Sequence, residues 1–124
     1  MLILIAGPYR SGTNDDPQLM KQNLEKLESV ALPLFQKGHI PFIGEWIALP
    51  LIRLAGSQKP GDEAWEKIQY PVAHRMLEKC DGVLRLAGAS KGADEDVRKA
   101  KERGLKVYYS LEEVPDANEE NGGS

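Results

Sequence analysis

Residues 82–109, "GVLRLAGASKGADEDVRKAKERGLKVYY", decide the fold. "GVLRLA" is an apolar run that ends at Gly88 and reads as a strand. A Ser-Lys-Gly turn then opens a helix over residues 92–103, and Gly104 stops it. "LKVYYS" follows as a second strand. Strand, helix and strand at this length form one unit of a parallel sheet. Asp94, Glu95 and Asp96 crowd the helix's first turn, where acids offset the helix dipole. Whether one of them also does chemistry is the question the rest of the chain has to answer.

The same alternation extends toward the N-terminus. Residues 2–6, "LILIA", are continuously apolar and closed by Gly7-Pro8, as in a strand buried on both faces. Met20, Leu24, Leu27, Ala31 and Leu34 recur at helical spacing over residues 17–37. Asp16 suits the N-cap, Pro17 the first helical position and Gly38 the stop, and Pro33 is expected to kink the last turn. "HIPFI", residues 39–43, is a short strand. "GEWIALPLIRLAG" is a short apolar helix that Pro50 is expected to limit. A polar loop, "SQKPGDE", leads to a helix over residues 62–79, carried by Trp65, Ile68, Val72, Met76 and Leu77, with a kink expected at Pro71. The whole reads as an α/β chain whose mostly parallel sheet of four to five strands has helices on both faces.

The totals narrow the partners. Lys and Arg number 16, Asp and Glu 19. The tail "PDANEENGGS", residues 115–124, holds three of the acids, so residues 1–114 balance at 16 against 16. That body offers no electrostatic grip on long nucleic acid. The tail has the composition of a disordered end, which places the domain at residues 1–114. Cys80 is the only cysteine, which excludes an internal disulfide and fits a reducing cytoplasm. "MLILIAGPYR" is too short an apolar run for a signal peptide or a membrane span. His39 and His74 lack the neighbours of a metal cluster and read as structural or surface residues.

In a parallel sheet, ligands bind beyond the carboxyl ends of the strands. Three loops fall there. The first carries Gly7, Tyr9, Arg10, Ser11, Gly12 and Thr13, and Arg10 is able to clamp a phosphate or carboxylate with two parallel hydrogen bonds. The alternative is a flexible surface loop with one solvated arginine. The loop lacks the Walker A lysine and the full Gly-x-Gly-x-x-Gly pattern, so neither ATP nor NAD is indicated and no cofactor is expected. The second loop presents Glu45 and Trp46, suited to sugar hydroxyls and a base ring, although Trp46 equally suits the core. The third places Ser90 and Gly92 at a helix start, where backbone N–H groups hold either an anion or nothing beyond a cap.

On an ideal helix with Ala93, Val97 and Ala100 as the buried stripe, Asp96 lies about 65–70° from its centre, Asp94 about 95° and Glu95 about 165°. Glu95 is therefore expected in solvent and Asp96 at the shoulder of the core, best placed to look into a cleft. Asp81, ahead of its strand, belongs to the opposite end of the sheet and reads as a turn residue.

Taken together, "LILIAGPYR", "KGHIPFIGEW" and "CDGVLRLAGASKGADEDVRKAKERGLKVY" resemble the nucleoside 2-deoxyribosyltransferase-like superfamily, in particular its small bacterial branch and the nucleotide N-glycosidases. The resemblance spans residues 1 to about 114. The family's Ser-x-Gly-x-x-x-Glu motif, with an Ala and a Gly further along, is matched by Ser90, Gly92, Ala100 and Gly104, and Asp96 stands in the glutamate's place. The resemblance implies a flavodoxin-like three-layer fold and a homodimer or larger assembly. It also implies cleavage or transfer of the N-glycosidic bond of a nucleoside 5′-monophosphate, with the carboxylate as nucleophile. Asp96 would then be the nucleophile and Tyr9 a positioning or proton-handling group, with Arg10, Ser90 and Gly92 forming the phosphate cradle. Aspartate is one methylene shorter than glutamate, a loss of about 1.3 Å in reach, and misplacement on that scale costs about a hundredfold in rate. Either the backbone compensates, or Asp94 takes the role, or the pocket binds a nucleotide without cleaving it.

Overall fold

A computed structural model describes residues 1–117. Its sheet has four parallel strands, β1 (Leu2–Ala6), β2 (Ile40–Ile43), β3 (Gly82–Arg85) and β4 (Lys106–Tyr108), in the order β2-β1-β3-β4. The helices are α1 (Pro17–Glu28), α2 (Ala31–Gln36), α3 (Gly44–Leu54), α4 (Glu63–Leu77) and α5 (Lys91–Glu102). A single 3-10 turn, Leu111–Glu113, follows β4.

β1 is buried on both faces, and its side chains divide between two cores as period-two alternation demands. Ile3 and Ile5 face Leu27, Ala31 and Leu34 of α1 and α2, with Ile43, Leu84 and Val114. Leu4 and Ala6 face Leu77 of α4 and Ala93 and Ala100 of α5, with Val83. The result is an α/β three-layer sandwich of flavodoxin-like form. A third cluster, Ala48, Ile52 and Trp65, with Tyr9 packed against it, joins α3 to α4.

Two prolines act differently from the sequence expectation. The helix over residues 17–37 is two helices, broken at Ser29–Val30 ahead of Pro33. Pro33 has no N–H to bond the Ser29 carbonyl, and its ring crowds that carbonyl, so the interruption falls one turn earlier than the proline itself. Pro50 does not limit its helix, since α3 continues through it to Leu54. At the N-terminal end of the sheet, the Leu2 amide donates to Asp81 Oδ2 at 2.8 Å, which fits the turn role expected for Asp81. His39 is structural: it is buried, with Nδ1 2.9 Å from the N-terminal amine and Nε2 2.7 Å from the Pro115 carbonyl. The Ala117 amide donates to the Lys37 carbonyl at 2.8 Å, so residues 115–117 are tied to the body beyond the boundary expected at 114. Residues 118–124 of the expected disordered tail lie outside the described residues.

Candidate functional site

β1 and β3 are adjacent, and the chain leaves β1 toward β2 on one side while β3 leads to β4 on the other. A cleft opens beyond their carboxyl ends, at the topological switch point. Its floor is the end of β1 with Gly7, and one side is the start of α3, Gly44 and Glu45. The loop Tyr9–Ser11 forms a second side, Ser90, Gly92, Ala93 and Asp96 of the α5 segment a third, and one face of α4 closes it. The cleft has a volume of about 90 Å³. A wider groove shares Arg10, Ser11, Tyr70, Ser90 and Gly92 with it and runs outward past Asn14, Asp15 and Lys91.

Asp96 is buried, at 9% exposure, deeper than the shoulder position expected from its helical angle. Its Oδ1 has no hydrogen-bond partner among the described residues, and neither does Oε1 of Gln69, which lines the same cavity. Burial raises the Asp96 pKa to about 7. Repulsion from Glu45 and Glu95 adds to the rise, and Arg85 and Lys99 oppose it. Glu45 is pushed to about 7 as well, mainly by loss of solvent around its carboxyl, against a smaller opposing contribution from its own backbone N–H. Tyr9 is raised by burial and then by Glu45. Its ring stacks on Trp65 at 6.4 Å between centroids. Two carboxyls and a phenol thus meet in one poorly hydrated space. That combination of concavity and displaced acidities marks a functional-site candidate.

The other two acids of "GADED" point elsewhere. Asp94 is exposed and paired with Arg85 at 2.9 Å, and it does not line the cleft as Asp96 does. Arg85 also bonds the Leu86 and Gly88 carbonyls, which holds the loop leading to α5. Glu95 is partly exposed and paired with Arg98.

The phosphate-cradle residues stand at the cleft, with engagements of their own. Arg10 is held by Asp15 through Nε–Oδ1 at 2.6 Å and Nη2–Oδ2 at 3.2 Å, lies 4.0 Å from Glu66, and sits over the Trp65 ring. It is not the solvated arginine of a loose loop, and its bidentate face is already used by a carboxylate. The Ser90 hydroxyl caps α5 by accepting from the Ala93 amide at 3.1 Å. Gly92 packs closely under Tyr70, whose ring carbon would lie 3.1 Å from an added Cβ and would have to give way slightly. At Gly7 an added Cβ would come within 2.9 Å of the buried Leu27 side chain, which would have to shift. Gly7 also lines the cleft floor.

Trp46 is a correction. It is 38% exposed, outside both the core and the cleft, and its Nε1 donates to Glu28 at 2.8 Å. As the third residue of α3 it turns away from Glu45, and the aromatic wall comes from Trp65 and Tyr70 instead. Sequence reasoning missed that wall. Trp65, Glu66, Gln69, Tyr70 and Ala73 follow three- and four-residue spacing on α4, a second stripe beside the apolar one.

His74 stacks on Tyr70 at 6.2 Å, and its Nε2 is buried without a partner among the described residues. No group of three metal-ligating side chains occurs among the described residues, and none of their helices is long and apolar enough to cross a membrane.

No family model matches the chain, and no curated protein or solved structure matches it either. The functional reading therefore rests on the cleft and on the motifs quoted above.

Proposed function

We propose that the cleft binds a nucleoside 5′-monophosphate or a related nucleotide and cleaves or transfers its N-glycosidic bond, with Asp96 as nucleophile. The observation that carries this reading is Asp96 itself, a buried residue that lines a cavity at the switch point of a parallel sheet and whose Oδ1 has no hydrogen-bond partner among the described residues. A group so costly to bury persists where it has work to do. Attack on the anomeric carbon gives a glycosyl ester, and water or a second base then takes up the sugar. Tyr9 positions the sugar, and the Tyr70 and Trp65 rings supply faces for the base. The phosphate lies in the outer groove near Arg10, Lys91 and the start of α5. Arg10 reaches it by exchanging Asp15 for the phosphate, a charge-for-charge replacement.

The reading extends to a homodimer or larger assembly in a reducing cytoplasm, supported by the resemblance, by the exposed apolar residues of α3 and by the single buried cysteine. The shorter reach of aspartate and the occupied Arg10 favour a second reading, a nucleotide-binding module without turnover. Incubation with a panel of ribo- and deoxyribonucleoside monophosphates separates the two. The enzyme reading expects free base from wild type and none from Asp96→Asn, with nucleotide affinity retained. Stabilisation by nucleotide without base release supports the binding module.

A further inference from the structure

α4 lays one stripe of side chains along the cleft, and most of that stripe has structural work. Trp65 stacks on Tyr9 at 6.4 Å and lies under the Arg10 guanidinium, 6.0 Å from its ring centroid. Glu66 is 4.0 Å from Arg10. Tyr70 stacks on His74 and closes over Gly92. Ala73 packs toward Gly44, whose added Cβ would lie 3.9 Å away. Gln69, one turn after Trp65 and next to Tyr70, lines the same cavity. Its Oε1 is buried and has no hydrogen-bond partner among the described residues. A leucine would fill that space without the cost of taking an amide oxygen out of water.

The groups around Gln69 define what can satisfy that oxygen. The acids Glu45, Glu66 and Asp96 line the cavity with it. Arg10 is the only base lining it among the described residues, and Asp15 already holds that guanidinium through two hydrogen bonds. Asp96 Oδ1 is likewise buried without a partner among the described residues. A space rich in acceptors, with its one cation engaged, disfavours an anion and calls for O–H or N–H donors.

We propose that Gln69 selects the ligand by its hydrogen-bond donors: Oε1 accepts from one hydroxyl of the sugar or one N–H of the base, and that part of the nucleotide is held in the cavity while the phosphate stays in the outer groove. This rests on the nucleotide reading above. Gln69 forms no bond to the ligand and moves no proton, so its role is specificity. A ligand without the matching donor seals the cavity with Oε1 still unpaired, and the cost of that unpaired oxygen is what rejects it.

A cycle of ligand and protein deletions tests the contact. Calorimetry compares the common ribonucleoside 5′-monophosphates and their 2′-deoxy counterparts on wild type and on Gln69→Leu. Analogues of the tightest binder then remove one donor each: the 2′-hydroxyl, the 3′-hydroxyl, or the base N–H, by exchanging an amino group for hydrogen or methylating the ring nitrogen. One deletion is expected to weaken binding to wild type about tenfold and to Gln69→Leu less than about twofold. A hydroxyl deletion with that pattern places the sugar at Gln69, and an N–H deletion places the base there; either supports the contact. If no deletion costs wild type more than about twofold, or each costs the two proteins the same, Gln69 selects nothing and the proposal is overturned, while the nucleotide reading stands. If Gln69→Leu does not fold, Gln69→Met, unbranched and of similar length, makes the same comparison. Failure of wild type to bind any of the monophosphates overturns the nucleotide reading itself, and the Gln69 contact with it.

Discussion

Replacing Asp96 with asparagine is expected to stabilise the protein, and more so as the pH rises. Asp96 is 9% exposed and its pKa stands at about 7, against 3.8 without the fold. Below about pH 4 both folded and unfolded chains hold the proton, so there is no penalty. Between the two values the folded chain keeps a proton that the unfolded chain has released, and stability falls by about 1.4 kcal/mol per pH unit. Above the folded value both states are ionised, and the accumulated penalty levels off at about 4 kcal/mol. Asparagine keeps the shape and carries no charge. Its advantage over wild type is expected to grow from about 1–2 kcal/mol near pH 5 to about 4 kcal/mol near pH 8. In a domain of this size that is on the order of 10 °C in Tm at the higher pH. Denaturant and thermal unfolding of both proteins at the two pH values measure it. An asparagine effect that is the same at both, or more destabilising at the higher pH, would refute the claim that Asp96 is held at a displaced acidity by burial.

Three further outcomes follow from the cleft and the surface. Arg10→Ala is expected to weaken a nucleoside monophosphate by about tenfold or more relative to the unphosphorylated nucleoside, read by calorimetry, whereas equal weakening removes Arg10 from the phosphate role. Trp65→Ala is expected to cost about tenfold in nucleotide affinity and Trp46→Ala less than about twofold, because only Trp65 lines the cavity; the reverse ranking would return Trp46 to the site. Ile47, Leu51 and Leu54 are exposed along one side of α3, so wild type is expected to scatter light as a dimer or larger and Leu51→Glu as a single chain. A wild type of one chain mass at micromolar concentration refutes that assembly.

The sheet was readable because parallel strands are short, apolar and separated by helices with clear start and stop residues, as in "GVLRLAGASKGADEDVRKAKERGLKVYY". The proline effects were harder. Pro33 breaks its helix a turn upstream of itself, and Pro50 is tolerated inside α3, although each removes one helical donor. Helical angle singled out Asp96 among three neighbouring acids, because burial of a helix face follows from periodicity alone. The depth of its burial depends on α4 and α3, which no local pattern contains. Trp46 was misplaced for the same reason: a strand end positions a residue near the cleft, but the turn of α3 decides that Glu45 faces in and Trp46 out. The α4 wall carried a signal in its spacing, hidden by the stronger apolar stripe that packs the helix.

The central claim is a covalent step at Asp96, and mass spectrometry of the intact protein tests it most directly. Incubation with a nucleoside monophosphate fluorinated at the 2′ position slows the second step and is expected to trap the sugar phosphate on the protein. The account predicts a mass rise of one sugar phosphate per chain, located by digestion on the peptide carrying Asp96 and absent from Asp96→Asn. Base release by wild type with no adduct, or an adduct carried by another residue, would contradict it.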